Sequence, residues 1–87
     1  MKTLHSIEVE LPPLLYRAIL YLFYQGYYSF RFYRSGHLET KYSERWWSNK
    51  MPLINYLDSS RGLSDETCIK NVKDLLEEKV ISLRIMK

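Results

Sequence analysis

The two stretches that decide the fold read YYSFRFYR at residues 27–34 and HLETKYSE at residues 37–44. Both alternate apolar side chains with polar ones, which is the pattern of strands with one buried side. Arg34, Ser35 and Gly36 link them as a three-residue loop with glycine in the left-handed position, a common hairpin type. We therefore predict a β-hairpin.

The length of this loop fixes which residues face each other across the hairpin. On the core side the predicted pairs are Phe32 with Leu38, Phe30 with Thr40, and Tyr28 with Tyr42. On the opposite side they are Arg31 with Glu39 and Ser29 with Lys41. These are favourable cross-strand combinations, whereas a two-residue loop would place Phe32 against Glu39. We therefore expect Tyr28, Phe30 and Phe32 in the core, and Tyr27, Arg31 and Tyr33 on the solvent side.

Five further elements are predicted on either side of the hairpin. Alternation predicts a strand at 7–11, and apolar residues at helical spacing predict a helix from about 13 to 25, ended by Gly26. A short helix is expected at about 52–59. Ser64 is a good N-cap for a helix with an apolar stripe, formed by Ile69, Val72, Leu75 and Leu76. Alternation from Ile81 to Met86 predicts a final strand.

This order, β-α-β-β-(α)α-β, predicts a ferredoxin-like α+β fold with a short extra helix and a four-stranded antiparallel sheet. One domain would span residues 1–87. The strands would lie in the order 4-1-3-2, so that charges alternate across the sheet surface turned away from the helices. The predicted sequence of charges there is Arg84, then Glu8 and Glu10, then Lys41 and Glu39, then Arg31.

The segment SIEVELPPLLYRAI, residues 6–19, resembles the opening of ribbon–helix–helix repressors, which have a strand, a proline and an amphipathic helix. The resemblance covers these fourteen residues. It ends where that family has its second helix, because YYSFRFYR has the pattern of a strand.

Charge and composition limit the possible partners and compartments. The net charge of +3 comes entirely from residues 27–50, which makes a local basic patch and not a strongly basic chain. Cys68 is the only cysteine, so an internal disulfide is excluded and a reducing, cytoplasmic location is expected. The apolar run at 14–23 is too short to span a bilayer and contains Arg17, so no membrane association is expected.

The sequence offers little catalytic chemistry. His5, His37 and Cys68 are scattered and lack the spacing of metal ligands, and no glycine-rich phosphate loop is present. Cys68 lies beside the apolar stripe of its helix, which favours a buried thiol. We therefore expect no enzymatic activity and no cofactor.

Two candidate binding surfaces remain. The first is the outer side of the first helix, with Tyr16, Leu20, Tyr21 and Tyr24. It would bind a partner protein or a second copy of the chain, unless the helix at 52–59 covers it. The second surface comprises Arg31, Tyr33, Arg34, Arg45, Trp46 and Trp47. Trp and Arg are typical of protein-binding hot spots, although Trp46 or Trp47 could instead close the core.

The leading hypothesis is a non-enzymatic module of regulator or inhibitor type, as in phage or mobile elements, that binds another protein or a second copy of itself as a homodimer. Its site would be Tyr16, Leu20, Tyr21, Tyr24, Trp46 and Trp47. The alternative is a single-stranded nucleic-acid binder, because aromatic rings beside arginines can stack bases and contact phosphates. That site would be Arg31, Tyr33, Arg34, Arg45 and Trp46. A subunit that depends on a larger enzyme is a third possibility.

Overall fold

A computed structural model describes residues 11–49, 53–56 and 62–86. The helices are α1 (Pro13–Tyr24) and α2 (Asp65–Glu77), and a 3-10 helix spans Leu53–Tyr56. The strands are β1 (Ser29–Tyr33), β2 (Leu38–Tyr42), β3 (Arg45–Asn49) and β4 (Ser82–Met86). The predicted strand at 7–11 lies outside the described residues apart from Leu11, as do both ends of the helix expected at 52–59.

The central hairpin has the predicted register. Phe30 pairs with Thr40, Arg31 with Glu39, and Phe32 with Leu38. Gly36 has a φ of +100° and donates its amide hydrogen to the Tyr33 carbonyl at 2.8 Å, which closes the three-residue loop. Phe30, Phe32, Leu38 and Thr40 are buried, so the assignment of the core side is confirmed for these positions.

The prediction that Tyr28 lies in the core is wrong, since 54% of its surface is exposed. The chain turns at the end of α1, where the Tyr27 amide donates a hydrogen bond to the Leu22 carbonyl at 3.0 Å. This turn directs Tyr27 towards the core, and its ring lies 6.3 Å from that of Tyr42. The prediction that Tyr27 lies on the solvent side is therefore wrong, and Tyr27, not Tyr28, is the residue whose ring contacts Tyr42.

The predicted strand order and the antiparallel ferredoxin-like layout are wrong. The observed order is β3-β2-β1-β4, and β4 pairs directly with β1 in parallel, with Arg31 opposite Arg84. The alternating charge pattern expected across the sheet is thereby lost, since two arginines are neighbours. The described part of the chain is an α+β structure with a mixed four-stranded sheet.

Strand β3 was not predicted at all. It pairs with β2 antiparallel, from Leu38 with Asn49 to Tyr42 with Arg45. The two strands are joined by Ser43 and Glu44, and Ser43 has a left-handed φ of 61°. Glycine usually takes this position in a two-residue hairpin turn, so the sequence carries no signal for it.

Both helices pack on one side of the sheet, and their ends follow from the sequence. Pro13 begins α1 and Gly26, with a φ of +100°, follows its end. The core is formed by α1, the hairpin, Tyr56, α2 and Ile81. Cys68 and Val72 are buried on α2, which confirms the expected buried thiol. The partly buried residues of the predicted stripe are Ile69, Leu75 and Leu76.

Ser64 caps α2 as predicted, and its removal should have a measurable cost. Its hydroxyl accepts the Thr67 amide hydrogen at 3.1 Å. Ser64→Ala should lower the free energy of unfolding by about 1 kcal/mol, whereas Ser64→Asp keeps an acceptor and should stay within about 0.5 kcal/mol of the original. Urea unfolding followed by circular dichroism measures both. Equal losses in the two variants would contradict a capping role.

Candidate binding surfaces

The residues predicted on the outer side of the first helix lie in different environments. Tyr16 and Leu20 are buried, with 6% and 1% of their surface exposed, and burial raises the pKa of the Tyr16 phenol. Tyr21 is partly buried and its ring lies 5.4 Å from that of Tyr56 in the 3-10 helix. Tyr24 is 64% exposed. Of these four side chains, Tyr24 alone presents most of its surface to solvent.

Arg17 is also in the interior, where it joins the two helices. Its Nε donates to Asp65 Oδ1 at 2.7 Å, and its Nη2 donates to the Leu63 carbonyl at 2.6 Å. The Arg17 side chain is 10% exposed and that of Asp65 is 55% exposed. The guanidinium therefore fixes the start of α2 against α1, and it is not available to a ligand.

A group of aromatic side chains collects where α1 ends and the sheet begins. This tyrosine cluster consists of Phe23, Tyr24, Tyr27, Tyr28 and Tyr42. Phe23 contacts Tyr24 and Tyr28, with ring centroids 5.7 and 5.6 Å apart. Tyr24, Tyr28 and Tyr42 are all more than half exposed, whereas Phe23 and Tyr27 pack against the core. Partly buried aromatic rings thus support exposed ones.

Arg45 and Trp47 continue this aromatic surface along the edge strand. Arg45 pairs with Tyr42 across the β2–β3 hairpin, and its guanidinium lies 5.7 Å from the Trp47 ring centroid. Trp47 is 50% exposed and pairs with Thr40, so it lies on the helix side of the sheet. It does not close the core.

The side of the sheet turned away from both helices, called the far face, has a different character. It holds Ser29, Arg31, Tyr33, Glu39, Lys41, Trp46, Ser48, Ser82, Arg84 and Met86. The Arg31 guanidinium lies 3.9 Å from the Trp46 ring centroid, a close cation–π contact. Arg31 Nη1 is 3.7 Å from Glu39 Oε1, and the Arg31 Nε is buried and has no hydrogen-bond partner among the described residues.

Glu39 is the centre of the polar contacts on this far face. The Tyr33 hydroxyl donates to Glu39 Oε1 at 3.0 Å, and this hydrogen bond raises the pKa of the phenol. His37 Nε2 lies 3.8 Å from Glu39 Oε2 and 3.2 Å from the Ser48 hydroxyl. A catalytic Ser-His-acid triad needs the serine and the carboxylate on different ring nitrogens, and here both face Nε2. The arrangement is therefore not that of a nucleophilic triad.

The structure divides the predicted basic-aromatic surface between two sides of the sheet. Arg31, Tyr33 and Trp46 lie together on the far face, Arg45 and Trp47 lie on the helix side, and Arg34 is exposed in the hairpin loop. Sequence reasoning missed the exposure of Tyr28 and Tyr42, and it missed Lys41 and Arg84 as neighbours of Arg31 and Trp46. Strand alternation placed Lys41 and Arg84 on this face, and the missing information was which strands are adjacent.

The comparisons with known proteins give no family assignment. No protein-family model, no curated protein and no solved structure matches the chain. Within residues 11–49, 53–56 and 62–86, no group of His, Cys, Asp and Glu side chains could hold a metal ion. No helix in the same ranges is long and apolar enough to cross a bilayer.

Proposed function

We propose that this protein is a non-enzymatic binding module that recognises another protein through the tyrosine cluster and Trp47. The observation that carries the proposal is the exposure of Tyr24, Tyr28 and Tyr42, at 64%, 54% and 65%, beside rings that are anchored in the core. The proposed surface differs from the one predicted from the sequence: Tyr28 and Tyr42 are added, and the residues left out are Tyr16, Leu20, Tyr21 and Trp46. Tyr24 and Trp47 are retained.

The chemistry of these side chains suits recognition of a protein surface. A tyrosine presents a large apolar ring and loses little conformational entropy on binding, because it has two rotatable side-chain bonds. Tyr and Trp are also enriched among hot-spot residues. The hydroxyls of Tyr24, Tyr28 and Tyr42 form no hydrogen bond with any other described residue, and each can donate to or accept from polar groups of a partner.

The proposed mode of action is regulation or inhibition of a partner protein. A module that binds through the tyrosine cluster acts by occupying a site on its partner, and we infer that this occupancy regulates or inhibits the partner. We place it in the cytoplasm, since its one cysteine is a buried free thiol. We propose that the tyrosine cluster binds a different protein. The alternative, that it binds a second copy of this chain, is an outcome of the test below.

Site-specific photocrosslinking in a lysate of the source cells tests the proposal. A benzoylphenylalanine at position 28 or 42 should give the same discrete crosslinked product, and one at the exposed position of Lys73 on α2 should not. With the crosslinked protein purified, Tyr28→Ser combined with Tyr42→Ser should weaken binding at least about 30-fold, because each side chain is expected to act as a hot spot. Val80→Ser, which removes an exposed apolar side chain elsewhere, serves as the matched control.

Three results would count against this function. Crosslinking from position 73 as strong as from position 42 would show that the capture is unspecific. Unchanged affinity in the double serine variant would remove the cluster from the interface. A crosslinked product of twice the chain mass, with a dimer in light scattering, would assign the cluster to self-association.

A further inference from the structure

We propose that the far face of the sheet is a second binding site, and that its ligand is a single-stranded nucleic acid. The site consists of Arg31, Lys41, Trp46 and Arg84, with Tyr33 beside them. It is separated from the tyrosine cluster by the sheet itself, and its existence does not depend on the function proposed above.

The far face has an excess of positive charge. Among the described residues it carries Arg31, Lys41 and Arg84 against the single carboxylate of Glu39. Arg84 and Lys41 form no ion pair with any other described residue. The Glu39 carboxylate already accepts the Tyr33 hydroxyl and lies close to Arg31, so it does not neutralise the other two cations.

The pairing of two arginines across the sheet is a second indication of an anionic ligand. Arg31 and Arg84 are direct partners on adjacent parallel strands, whose backbones lie about 4.8 Å apart. Like charges that face each other across a sheet are unfavourable. The Arg31 guanidinium is turned towards β2 and β3, where it contacts Trp46 and lies near Glu39. A phosphate bound by the exposed Arg84 guanidinium would offset the repulsion between the two arginines and accept hydrogen bonds from Arg84.

The aromatic side chains indicate which kind of polyanion fits this far face. The Arg31 guanidinium lies 3.9 Å from the Trp46 ring centroid, so two planar groups are adjacent among the basic residues of this face. Bases of a single strand stack on aromatic rings and on guanidinium planes. A phospholipid headgroup or an acidic peptide offers charge without such flat rings. Charge and stacking together therefore favour single-stranded RNA or DNA.

Fluorescence anisotropy with a labelled twelve-nucleotide oligouridine probe tests this inference. Three phosphate contacts on a single strand predict a slope of about −2 for log K against the logarithm of the salt concentration. The affinity should therefore fall about 20-fold between 50 and 200 mM salt. Arg84→Ser should weaken binding at 50 mM salt at least about fivefold and make the slope shallower by about 0.7. Lys73→Ser removes the same charge from α2, on the other side of the sheet, and should leave both values unchanged.

Trp46→Ala tests the stacking part of the inference. Loss of one base-stacking contact should weaken binding at least about fivefold without changing the salt slope. Circular dichroism verifies that each variant is folded. The inference is overturned by an absence of binding at 50 mM salt, or by equal losses in Arg84→Ser and Lys73→Ser. It is equally overturned if Trp46→Ala binds normally and inorganic polyphosphate or anionic phosphatidylserine vesicles bind as tightly as the oligouridine.

Discussion

Phe30→Ala should lower the free energy of unfolding by about 3–5 kcal/mol, because it empties a fully enclosed site in the middle of the sheet. Phe30 is 1% exposed and lies on β1, the strand that pairs with both β2 and β4. β1 is held between β2 and β4, so it cannot shift towards the helices to fill the cavity without breaking ladder hydrogen bonds. A domain of this size has a total stability of about 5–15 kcal/mol, so a large part of it would be lost.

Urea unfolding measured by circular dichroism gives the midpoint and the slope for Phe30→Ala. We expect the midpoint to fall by more than about 1 M with the slope unchanged. Tyr24→Ala is the matched control, since it also truncates an aromatic side chain but at a position that is 64% exposed on a helix. Its stability should change by less than about 1 kcal/mol. Similar losses in both variants would contradict the assignment of Phe30 to the core.

The alternation of residues in the sequence predicted which way side chains point, but not which strands are neighbours. Arg31, Glu39, Lys41 and Arg84 were expected on one surface of the sheet, and the strand pairing places them there. A period of two fixes the side of the sheet, and the same pattern is compatible with any strand order. The contact between β1 and β4 joins residues more than fifty positions apart, and no local signal encodes it.

Local turns account for the remaining differences in the fold. The hairpin at Gly36 was predicted correctly because glycine is the expected residue at a left-handed position. The turn at Ser43 uses a residue that rarely adopts this conformation, so the segment RWWSN was not recognised as β3. Two consecutive tryptophans also hide the alternation, because one ring lies on each side of the strand.

The binding surfaces were harder to predict than the core for a related reason. The sequence identifies Tyr16, Leu20 and Tyr24 as apolar residues on one helix, but their exposure depends on what packs against that helix. The 3-10 helix and α2 both contact α1, and Tyr24 lies at the end of α1. The exposed aromatic side chains beyond Tyr24 are therefore Tyr28, which follows the helix end, and Tyr42, which precedes the Ser43 turn.

Asp65→Ala should destabilise the protein more than Arg17→Met, although the two side chains form one ion pair. Asp65→Ala removes a carboxylate that lies 2.7 Å from a guanidinium whose side chain is 10% exposed, and we expect a cost of about 2–4 kcal/mol. Arg17→Met leaves a carboxylate that is 55% exposed and can be hydrated, and the Leu63 carbonyl loses one donor. That change should cost about 1–2 kcal/mol.

The double variant decides whether this asymmetry has the stated cause. Once Arg17→Met has removed the buried cation, the further change Asp65→Ala should cost less than about 1 kcal/mol, so the two losses do not add. Thermal or urea unfolding of the four proteins at neutral pH and low salt measures the coupling. Additive losses would mean that Asp65 acts only through the N-terminus of α2, where a carboxylate is favourable without any partner. A larger loss in Arg17→Met than in Asp65→Ala would mean that the contact with the Leu63 carbonyl, and not the ion pair, holds the two helices together.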